Sequence, residues 1–428
     1  MDITPTPYKL QSVASGNVFE DTGWMLEAPD EKQPTLIRTV YDKKQIDIKD
    51  ESYGIYRFAD WLPIHRALEG SCAPVTYKSE GFAKHLGLHN LYITFSGYFP
   101  ERGAYMSTCS FKETEAYSVC GRLQSDVHGV LVVASAGNTA RAFAKVCSDN
   151  RIPLLLCVPE DNLDALWFER ALHTCVKLVC TEKGSDYFDA INLSNIAAEI
   201  DGFIAEGGAK NVARRDGMST TMLSATHFIG QIPDFYFQAV GSGTGAIAAW
   251  EANLRLIEDG RFGIKKAKLM VSQNIPFTPM ADAWNARSRQ MLPYDEHHAH
   301  MDVEKIKAKV LSNRKPPYPV IGGLFDALSD TNGEFFCVSN DEIKQAQDLF
   351  LQYEGIDIYS ASGVAVHSLM QAVEQKKVNA GDIIMLNITG GGEQRFKQGK
   401  ELWYLKPDLV FNTKAPKEEI IQHIKKLF

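Results

Sequence analysis

The stretch VLVVASAGNTARAFAKVC, residues 130–147, decides the fold class of this chain. It opens with an apolar run of strand length, passes through small residues, and then takes the apolar spacing of a helix from Asn138 to Cys147. A strand that is apolar on both faces and leads directly into a helix is typical of a parallel sheet covered by helices. We therefore predict an α/β protein.

The same alternation of strands and helices runs along the chain from Ser125 onward. Segments of helical period, such as Gly245 to Ile257, lie between further apolar runs. The alternation falls into two blocks, at about 109–221 and 225–405, and predicts two open parallel or mixed sheets covered by helices. The further strand-like runs are PLLLCVP (153–159), VKLVC (176–180), FYFQAV (235–240), KLMVSQ (268–273) and IIMLNIT (383–389).

The bulk composition limits the classes of protein. A chain of 428 residues is too long for one core, so we expect two lobes. Asp plus Glu number 53 and Lys plus Arg 45, and the resulting net charge of -8 disfavours binding to nucleic acid or anionic membranes. The start, MDITPTPYKL, does not read as a signal sequence, and the apolar runs are too short to span a bilayer. We expect a soluble cytoplasmic protein.

Three segments lie outside the two blocks. Residues 1–65 mix turn residues with short alternating stretches and predict a small β-rich appendage. Residues 294–319 are charged and rich in proline, which predicts an exposed excursion. The final stretch KAPKEEIIQHIKKLF (414–428) has the spacing of an amphipathic surface helix.

Neither the cysteines nor the histidines predict a metal site. The eight cysteines include no C-x-x-C pattern, so they indicate reduced thiols in preference to a zinc site or disulfides. His297, His298 and His300 follow two acidic residues, but contiguous histidines in a proline-flanked segment are usually solvated. We expect no bound metal.

The segment SFKETEA (110–116) contains the candidate catalytic residue, Lys112. Ser110 and Glu113 have the spacing of a capping box, which would place Lys112 in the first turn of a helix. The positive helix end and the apolar Phe111 would lower the pKa of its ammonium group. A Schiff-base lysine needs such a shift because only the neutral amine attacks a carbonyl. From this segment alone, a solvated surface lysine remains an alternative.

The loop after the strand VLVV is a candidate anion site. A strand that enters a helix through small residues leaves free backbone N–H groups, which can hold a carboxylate or phosphate. The amide of Asn138 can also contact a phenolic oxygen. A plain strand-to-helix turn remains the alternative. The loop residues are Ser135, Ala136, Gly137, Asn138 and Thr139.

A second glycine-rich loop, GSGTG, follows the strand FYFQAV and precedes a helix. Its glycines let the backbone wrap a phosphate at the helix N-terminus. Gly241, Gly243 and Ala246 also fit a dinucleotide fingerprint, with Glu258 or Asp259 as its acidic residue, so an NAD-dependent oxidoreductase must be considered. The candidate phosphate-binding residues are Gly241, Ser242, Gly243, Thr244 and Gly245.

The segment NITGGG (387–392) ends the strand IIMLNIT, where open α/β sheets bind ligands. The hydroxyl of Thr389 can hydrogen-bond an aromatic ring nitrogen, although an ordinary glycine turn would look the same. One lysine, two anion loops and one strand-end hydroxyl, taken together, form a coherent pyridoxal phosphate site.

In this order the segments resemble fold-type II pyridoxal phosphate enzymes, and within them the threonine synthase group. The resemblance covers nearly the whole chain and implies a tryptophan synthase beta-like fold. It implies a large cofactor-binding domain (66–110 and 225–428) and a smaller mobile α/β domain (111–224). The matching stretches are PVTYKSEGFAKHLGLHNLYI (74–93), SFK (110–112), SAGNT (135–139), NVARRDGMST (211–220), GSGTG (241–245) and Thr389-Gly390.

The resemblance assigns a role to each matched residue. Lys112 would carry the cofactor, Asn138 would contact its ring, and Thr389 would bind the pyridine nitrogen. The loop at 241–245 would hold the cofactor phosphate. The loop of Ser135, Ala136, Gly137 and Thr139 would cradle the substrate carboxylate, and Arg214 would contact a substrate phosphate. The leading segment resembles that of the short-form synthases without their metal cysteines, so no zinc is implied.

The chain departs from the threonine synthase pattern near the substrate. Glu113 and Thr114 replace the usual Asp-Arg after Ser-Phe-Lys, the loop 98–109 is enlarged, and TGGGEQR (389–395) replaces Thr-Gly-His-Gly-Leu-Lys. The pattern resembles the cysteate synthases, an archaeal branch that serves coenzyme M biosynthesis. That resemblance implies replacement of the phosphate of O-phospho-L-serine by sulfite, in a homo-oligomer.

Two alternatives stay open within this cofactor class. One is threonine synthase-type chemistry on O-phospho-L-homoserine, and the other is a non-catalytic pyridoxal phosphate sensor of amino acids. Phosphate and sulfite are both dianions, so an acidic protein must supply local cations. The candidate cations are Lys210, Arg214, Arg215, Arg287 and Arg289, although for the last two an exposed charged loop is the favoured alternative.

Overall fold

The computed structural model describes residues 3–124 and 129–428. The predicted start of the alternating pattern, Ser125, lies outside the described residues, as do the first two residues. None of the helices in the described ranges combines the length and apolarity needed to cross a membrane.

The six predicted apolar runs all form strands, and the described residues contain further strands. In chain order the strands are β1 (Tyr8–Ser12), β2 (Val18–Phe19), β3 (Ile37–Tyr41), β4 (Val75–Lys78), β5 (Asn90–Phe95), β6 (Tyr98–Phe99), β7 (Ala104–Tyr105), β8 (Val130–Ala134), β9 (Leu154–Pro159), β10 (Trp167–Phe168), β11 (Val176–Thr181), β12 (Phe203–Ala205), β13 (Phe235–Ala239), β14 (Lys268–Asn274), β15 (Glu334–Val338), β16 (Ile383–Ile388), β17 (Trp403–Tyr404) and β18 (Leu409–Phe411). The predicted runs form β8, β9, β11, β13, β14 and β16.

Helices lie between most of the long strands. They are α1 (Gly81–Leu86), α2 (Lys112–Arg122), α3 (Asn138–Asp149), α4 (Tyr187–Ala197), α5 (Val212–Ile229), α6 (Thr244–Asp259), α7 (Pro279–Asn285), α8 (Glu296–Lys305), α9 (Leu324–Asp330), α10 (Asn340–Glu354), α11 (Ser360–Glu374), α12 (Glu393–Lys397) and α13 (Lys417–Ile424). Short 3-10 segments occupy Glu51–Trp61, Pro100–Arg102, Glu160–Ala165, Gly208–Lys210 and Lys309–Leu311.

The larger sheet has six strands in the order β15-β14-β13-β16-β5-β4. Its pairs are parallel except for β4, which runs antiparallel to β5 at the edge. All residues of β14 after Lys268 are buried, because helices cover both faces of the sheet. The sequence pattern of continuous apolar runs thus correctly indicated a doubly covered sheet.

The smaller sheet has five parallel strands in the order β12-β8-β9-β11-β18. Every residue of β9 is buried, as its PLLLCVP sequence predicts. The predicted α/β class with two helix-covered sheets is therefore confirmed, and so is the β-rich appendage, which forms the antiparallel sheet β2-β1-β3.

The C-terminus departs from the predicted division of the chain. We assigned all of 225–428 to the larger domain, but β18 pairs with β11 in the smaller sheet. The terminal helix α13 follows it, since Ile420 and Ile424 pack against Leu193 and Ala197 of α4. Because β18 places the chain beside the smaller sheet, the apolar stripe of the helix that follows is buried against that lobe. The rest of the division stays a prediction.

The predicted exposed excursion at 294–319 is partly wrong. It contains α8, whose histidines are mostly exposed, but Ile306, Ala308 and Leu311 are buried. Ala308 and Leu311 join the core of the larger lobe, and the backbone around residue 311 reaches the cavity described below. Lysines between these apolar residues concealed the buried positions in the sequence.

The appendage is attached to the main body through buried ion pairs. Asp21 accepts hydrogen bonds from Arg122 at the end of α2, at 2.8 and 3.2 Å, and from the hydroxyl of Tyr8 at 2.7 Å. Arg122 also donates to Asn211, whose side chain caps the N-terminus of α5. The appendage thus fixes the ends of two helices.

We expect Asp21→Ala to destabilise the protein by about 3 kcal/mol, because it leaves the buried Arg122 guanidinium without its counter-ion. Urea unfolding of the full chain measures this effect. Glu20→Ala is the matched control, since Glu20 pairs with Lys9 at an exposed surface and should contribute less than about 1 kcal/mol. Equal losses in the two variants would contradict the anchoring role of Asp21.

Candidate active site

One cavity of about 150 Å³ collects the residues to which the resemblance assigns contacts with cofactor or substrate. It lies between the two sheets, at the carboxyl ends of β8, β13 and β16, which is where open α/β sheets bind ligands. The predicted residues in its wall are Lys112, Ser135, Ala136, Gly137, Asn138, Thr139, Arg214, Gly241, Ser242, Gly243, Thr244, Gly245 and Thr389.

Lys112 is placed by backbone contacts between its own segment and the end of β16. Phe111 N donates to Thr389 O at 2.9 Å, and Ser110 pairs with Gly390 as an antiparallel bridge. Helix α2 then begins at Lys112. The strand end and the lysine therefore face the cavity together.

The predicted capping box is wrong in detail. The N-cap of α2 is Phe111, and it makes no side-chain capping bond. The residues on either side of Ser110, Cys109 and Phe111, form the backbone bonds to the end of β16, and the helix starts after them. The Glu113 carboxylate instead accepts a hydrogen bond from Thr108 N at 2.7 Å. Lys112 still lies in the first helical turn, as predicted.

The electrostatic setting of Lys112 combines burial with a close carboxylate. Burial lowers the pKa of its ammonium group, and the carboxylate of Glu115 opposes that shift. Nζ donates to Glu115 Oε2 at 3.1 Å and lies 4.9 Å from the centre of the Phe111 ring. An amine with a lowered pKa is more often neutral and hence nucleophilic at neutral pH.

The loop 135–139 is shaped by its own serine. Ser135 Oγ accepts hydrogen bonds from Gly137 N and Ala140 N, both at 3.0 Å. Arg141 donates to Asn138 Oδ1 at 2.9 Å, so the carbonyl end of that side chain is held by the protein and its amide nitrogen is the end left for a ligand. Helix α3 starts at Asn138 and its N-cap, Gly137, has no side chain to cap it; Ser135 Oγ takes the N–H of Ala140, which leaves the N–H groups of Asn138 and Thr139 at the loop.

The glycine loop 241–245 leads into α6, whose N-cap is Gly243 with no side-chain capping bond. Thr244 N donates to Ser242 Oγ at 3.3 Å, and the next N–H groups of the first turn are available to an anion. Ser242 Oγ and Thr244 Oγ1 lie 2.8 Å apart and add hydroxyl donors. Gly243 has a φ of +80°, and a Cβ there would lie 2.8 Å from Leu324 Cδ2, so only glycine fits without strain.

Only Arg214 among the five candidate cations lies in the wall of this cavity. Lys210 pairs with Glu27 at the surface, Arg215 is buried against Glu251, and Arg289 pairs with Asp326. Arg287 also lies outside the cavity wall. The prediction is therefore wrong for Lys210 and Arg215, because local carboxylates direct them elsewhere, whereas Arg287 and Arg289 follow the alternative of a charged loop away from the cavity.

Arg214 itself is already paired with carboxylates. Its Nε and Nη2 donate to Glu206 at 2.7 and 2.5 Å, and Nη1 lies 3.4 Å from Glu115 Oε1. A substrate phosphate would have to compete with these partners. The predicted phosphate contact of Arg214 stays a prediction.

Several residues of the site were missed by the sequence reasoning. Arg141 is buried and donates to Thr108 O, to Asn138 and, at 3.0 Å, to the hydroxyl of Tyr359. Its spacing of three residues from Asn138 on α3 was the available signal. Tyr187 and Asn313 also line the cavity, but each lies far in the chain from the motifs.

The positions of Glu258 and Asp259 exclude a dinucleotide site at the glycine loop 241–245. Asp259 is buried beside the appendage, where it accepts from Ile46 N at 2.9 Å, and Glu258 pairs with Lys44. Both lie at the C-terminal end of α6, about 24 Å from the glycine loop for a helix of 16 residues. Neither acid can reach a ribose held near that loop.

Within the described parts of the chain, no group of three or more His, Cys, Asp or Glu residues is arranged to hold a metal ion. The exposed side chains of His298 and His300 instead lie near Asp295 and Asp186.

Comparisons with known proteins agree with this geometry. Residues 77–390 match the family described as pyridoxal-phosphate dependent enzyme. The cysteate synthase of Methanosarcina acetivorans is 47% identical over 392 residues, covering 91% of this chain and 94% of the relative. The cysteate synthase of Methanospirillum hungatei is 43% identical over 415 residues, covering 97% of both chains.

Solved structures resemble this chain in fold. Maize serine racemase has a TM-score of 0.56 at 13% identity, with 74% of this chain and 88% of the racemase covered. Threonine deaminase isoform 2 of Solanum lycopersicum has a TM-score of 0.52 at 18% identity, covering 74% and 83%. At these identities the likeness concerns the fold alone.

The residues present fit pyridoxal phosphate. The cavity joins a half-buried amine for the aldehyde, a helix N-terminus in a glycine loop for the phosphate, and a strand-end hydroxyl for the ring nitrogen. A side chain at Gly243 would disturb the cradle through its contact with Leu324. The donor set thus matches the three polar ends of this cofactor.

We expect Gly243→Ala to weaken pyridoxal phosphate binding by about tenfold or more, equivalent to about 1.4 kcal/mol. The new Cβ would meet the Leu324 side chain and shift the loop. Absorbance titration of the full chain with the cofactor measures the dissociation constant.

Gly260→Ala is the matched control, at the opposite end of the same helix. Its φ of +82° imposes the same backbone strain, but no atom lies within 4 Å of the added Cβ. We expect cofactor affinity within about twofold of wild type, because the strain of about 1–2 kcal/mol falls on a remote cap. An equal loss of affinity in both variants would attribute the effect to strain and contradict the cradle.

Proposed function

This chain belongs to the pyridoxal-phosphate dependent enzymes and, within them, to the cysteate synthases, and on this basis we propose that it replaces the phosphate of O-phospho-L-serine with sulfite to give L-cysteate. The observation that carries the proposal is the identity of 47% over 94% of a cysteate synthase. The cavity supports it, because Lys112 and the two anion loops share one site.

The proposed reaction is a β-replacement in which atoms and charges balance. The bond between the β-carbon and the phosphate oxygen breaks, and phosphate leaves with the electron pair. The sulfur lone pair of sulfite then forms the new carbon–sulfur bond. The proton removed from the α-carbon is returned to it, so the net products are L-cysteate and inorganic phosphate.

Pyridoxal phosphate, when bound, supplies an aldehyde that bonds amines and a ring that stabilises negative charge on the substrate α-carbon. The chain must hold the cofactor and manage the protons. We propose that Lys112 holds the aldehyde through its neutral amine, that Thr389 and Asn138 orient the ring, and that residues 241–245 hold the phosphate.

Lys112 is also the proposed carrier of the α-proton. Its amine lies inside the cavity, and burial favours the neutral form that can accept a proton. The N–H groups of the loop 135–139, at the start of α3, are the proposed cradle for the substrate carboxylate. This cradle would fix the α-carbon relative to Lys112. The cytoplasmic location and the homo-oligomer stay predictions.

We expect phosphate release from O-phospho-L-serine to require sulfite and to yield L-cysteate, measured by a phosphate assay and mass spectrometry of the product. O-Phospho-L-homoserine with water serves as the competing substrate. Release from the homoserine ester alone would reject the proposed substrate and favour threonine synthase-type chemistry. Cofactor binding without turnover of either substrate would favour the sensor alternative.

We expect Lys112→Ala to lower phosphate release by about 1,000-fold or more, because the chain loses its proton carrier. Borohydride treatment of the yellow wild-type protein should leave a mass tag on Lys112 that is absent from the variant. Lys84→Ala, which changes an exposed lysine of α1, should keep both the tag and the activity. A tag on another lysine in the wild type would contradict the assignment.

A further inference from the structure

Glu115 is a fully buried carboxylate in the wall behind Lys112, and the proposed function gives it no role. It lies one helical turn after Lys112 on α2, so both side chains point to the same side of the helix. Burying an ion costs several kcal/mol unless charged partners compensate. A carboxylate in this position therefore needs an explanation from its neighbours.

Together with its neighbours, Glu115 forms a row of four side chains with alternating charges: Lys112, Glu115, Arg214 and Glu206. Glu115 Oε2 accepts from Lys112 Nζ at 3.1 Å, while Oε1 makes no hydrogen bond and lies 3.4 Å from Arg214 Nη1. Arg214 is held on its other side by both oxygens of Glu206. Tyr187, from the start of α4, faces the same group.

The charges of this row depend on the state of Lys112. With an ammonium at Lys112 the four side chains sum to zero, whereas with a neutral amine they leave one excess negative charge. The positive charge of Arg214 cannot neutralise this excess, because that charge is already neutralised by Glu206. The row thus favours a proton on Lys112, in opposition to the burial that disfavours it. An amine held between these two tendencies can both release and accept a proton.

We propose that Glu115 is a positioning residue that receives and holds the Lys112 ammonium between the removal of the substrate α-proton and its return. Arg214, fixed by Glu206, keeps Glu115 in place while Lys112 carries no charge. The inference deepens the proposed function, since it takes Lys112 as the proton carrier. The inference also gives Arg214 a role, as the cation that holds Glu115 within the row of four charges.

The test compares Glu115→Gln, Glu115→Asp and wild type by the protonation of Lys112 itself. Competitive acylation of the cofactor-free full chain across pH, with mass spectrometry of the Lys112 peptide, gives the apparent pKa of that amine. We expect Glu115→Gln to lower it by about one unit or more, because the neighbouring anion is lost. Glu115→Asp keeps the charge at a greater distance and should fall between the two.

The kinetic measurement separates a proton-handling role from a purely structural one. We expect Glu115→Gln to lower kcat by about tenfold to a hundredfold with KM within about twofold, since with the cofactor held by Lys112 the ammonium of that residue exists only after the α-proton has moved. Glu199→Gln is the matched control, because Glu199 is an exposed partner of Lys417. This control should leave kcat and the Lys112 pKa unchanged.

A folded Glu115→Gln protein with a wild-type Lys112 pKa would overturn the inference. Should that variant fail to fold, as judged by circular dichroism, a wild-type pKa and kcat in Glu115→Asp would overturn it equally. These results are independent of the proposed function, because the acylation needs neither cofactor nor substrate. Failure of borohydride to tag Lys112 would instead reject the proposed function and leave the pKa comparison intact.

Discussion

The site depends on one set of backbone hydrogen bonds, which joins the segment before α2 to the end of β16. Phe111 N donates to Thr389 O, and Gly391 N donates to Cys109 O at 3.0 Å. These bonds bring together a lysine and a strand end that are far apart in sequence. They require backbone to approach backbone closely, since a Cβ at Gly390 would lie 2.9 Å from Cys109 O. Glycine at this point is therefore a condition for the geometry of the whole cavity.

Once these backbone bonds hold Lys112 beside the end of β16, the parallel order of the strands places the two anion-binding loops at the same cavity. The carboxyl ends of β8, β13 and β16 meet at the cavity, and the loops that follow β8 and β13 lead into helices whose N-cap residues are glycines. The positive ends of α3 and α6 can therefore meet anions in an acidic protein without a large number of basic side chains. The helix ends can thus bind the anions while the guanidinium of Arg214 pairs with carboxylates in the cavity wall.

The parts of the site that the sequence revealed are those built from contiguous motifs. Lys112, Asn138, Gly243 and Thr389 each sit in a short segment whose local chemistry is visible without the fold. The residues that were missed act through partners that are distant in the chain. The role of Glu115 depends on its contact with Arg214, which lies about a hundred positions later in the chain. The wrong predictions share a cause, because Arg215 and the buried part of the excursion were judged by composition, whereas their surroundings are set by tertiary packing.

The return of the C-terminus to the smaller sheet has a consequence for synthesis of the chain. Strand β11 acquires its outer neighbour, β18, only when residues 409–411 have left the ribosome. Until then its edge exposes unpaired N–H and C=O groups, and the apolar face of α4 that receives α13 lacks its cover. The lobe formed by the middle of the chain is thus completed only after β18 has been made, and a chain truncated before residue 409 presents an open β edge suited to aggregation.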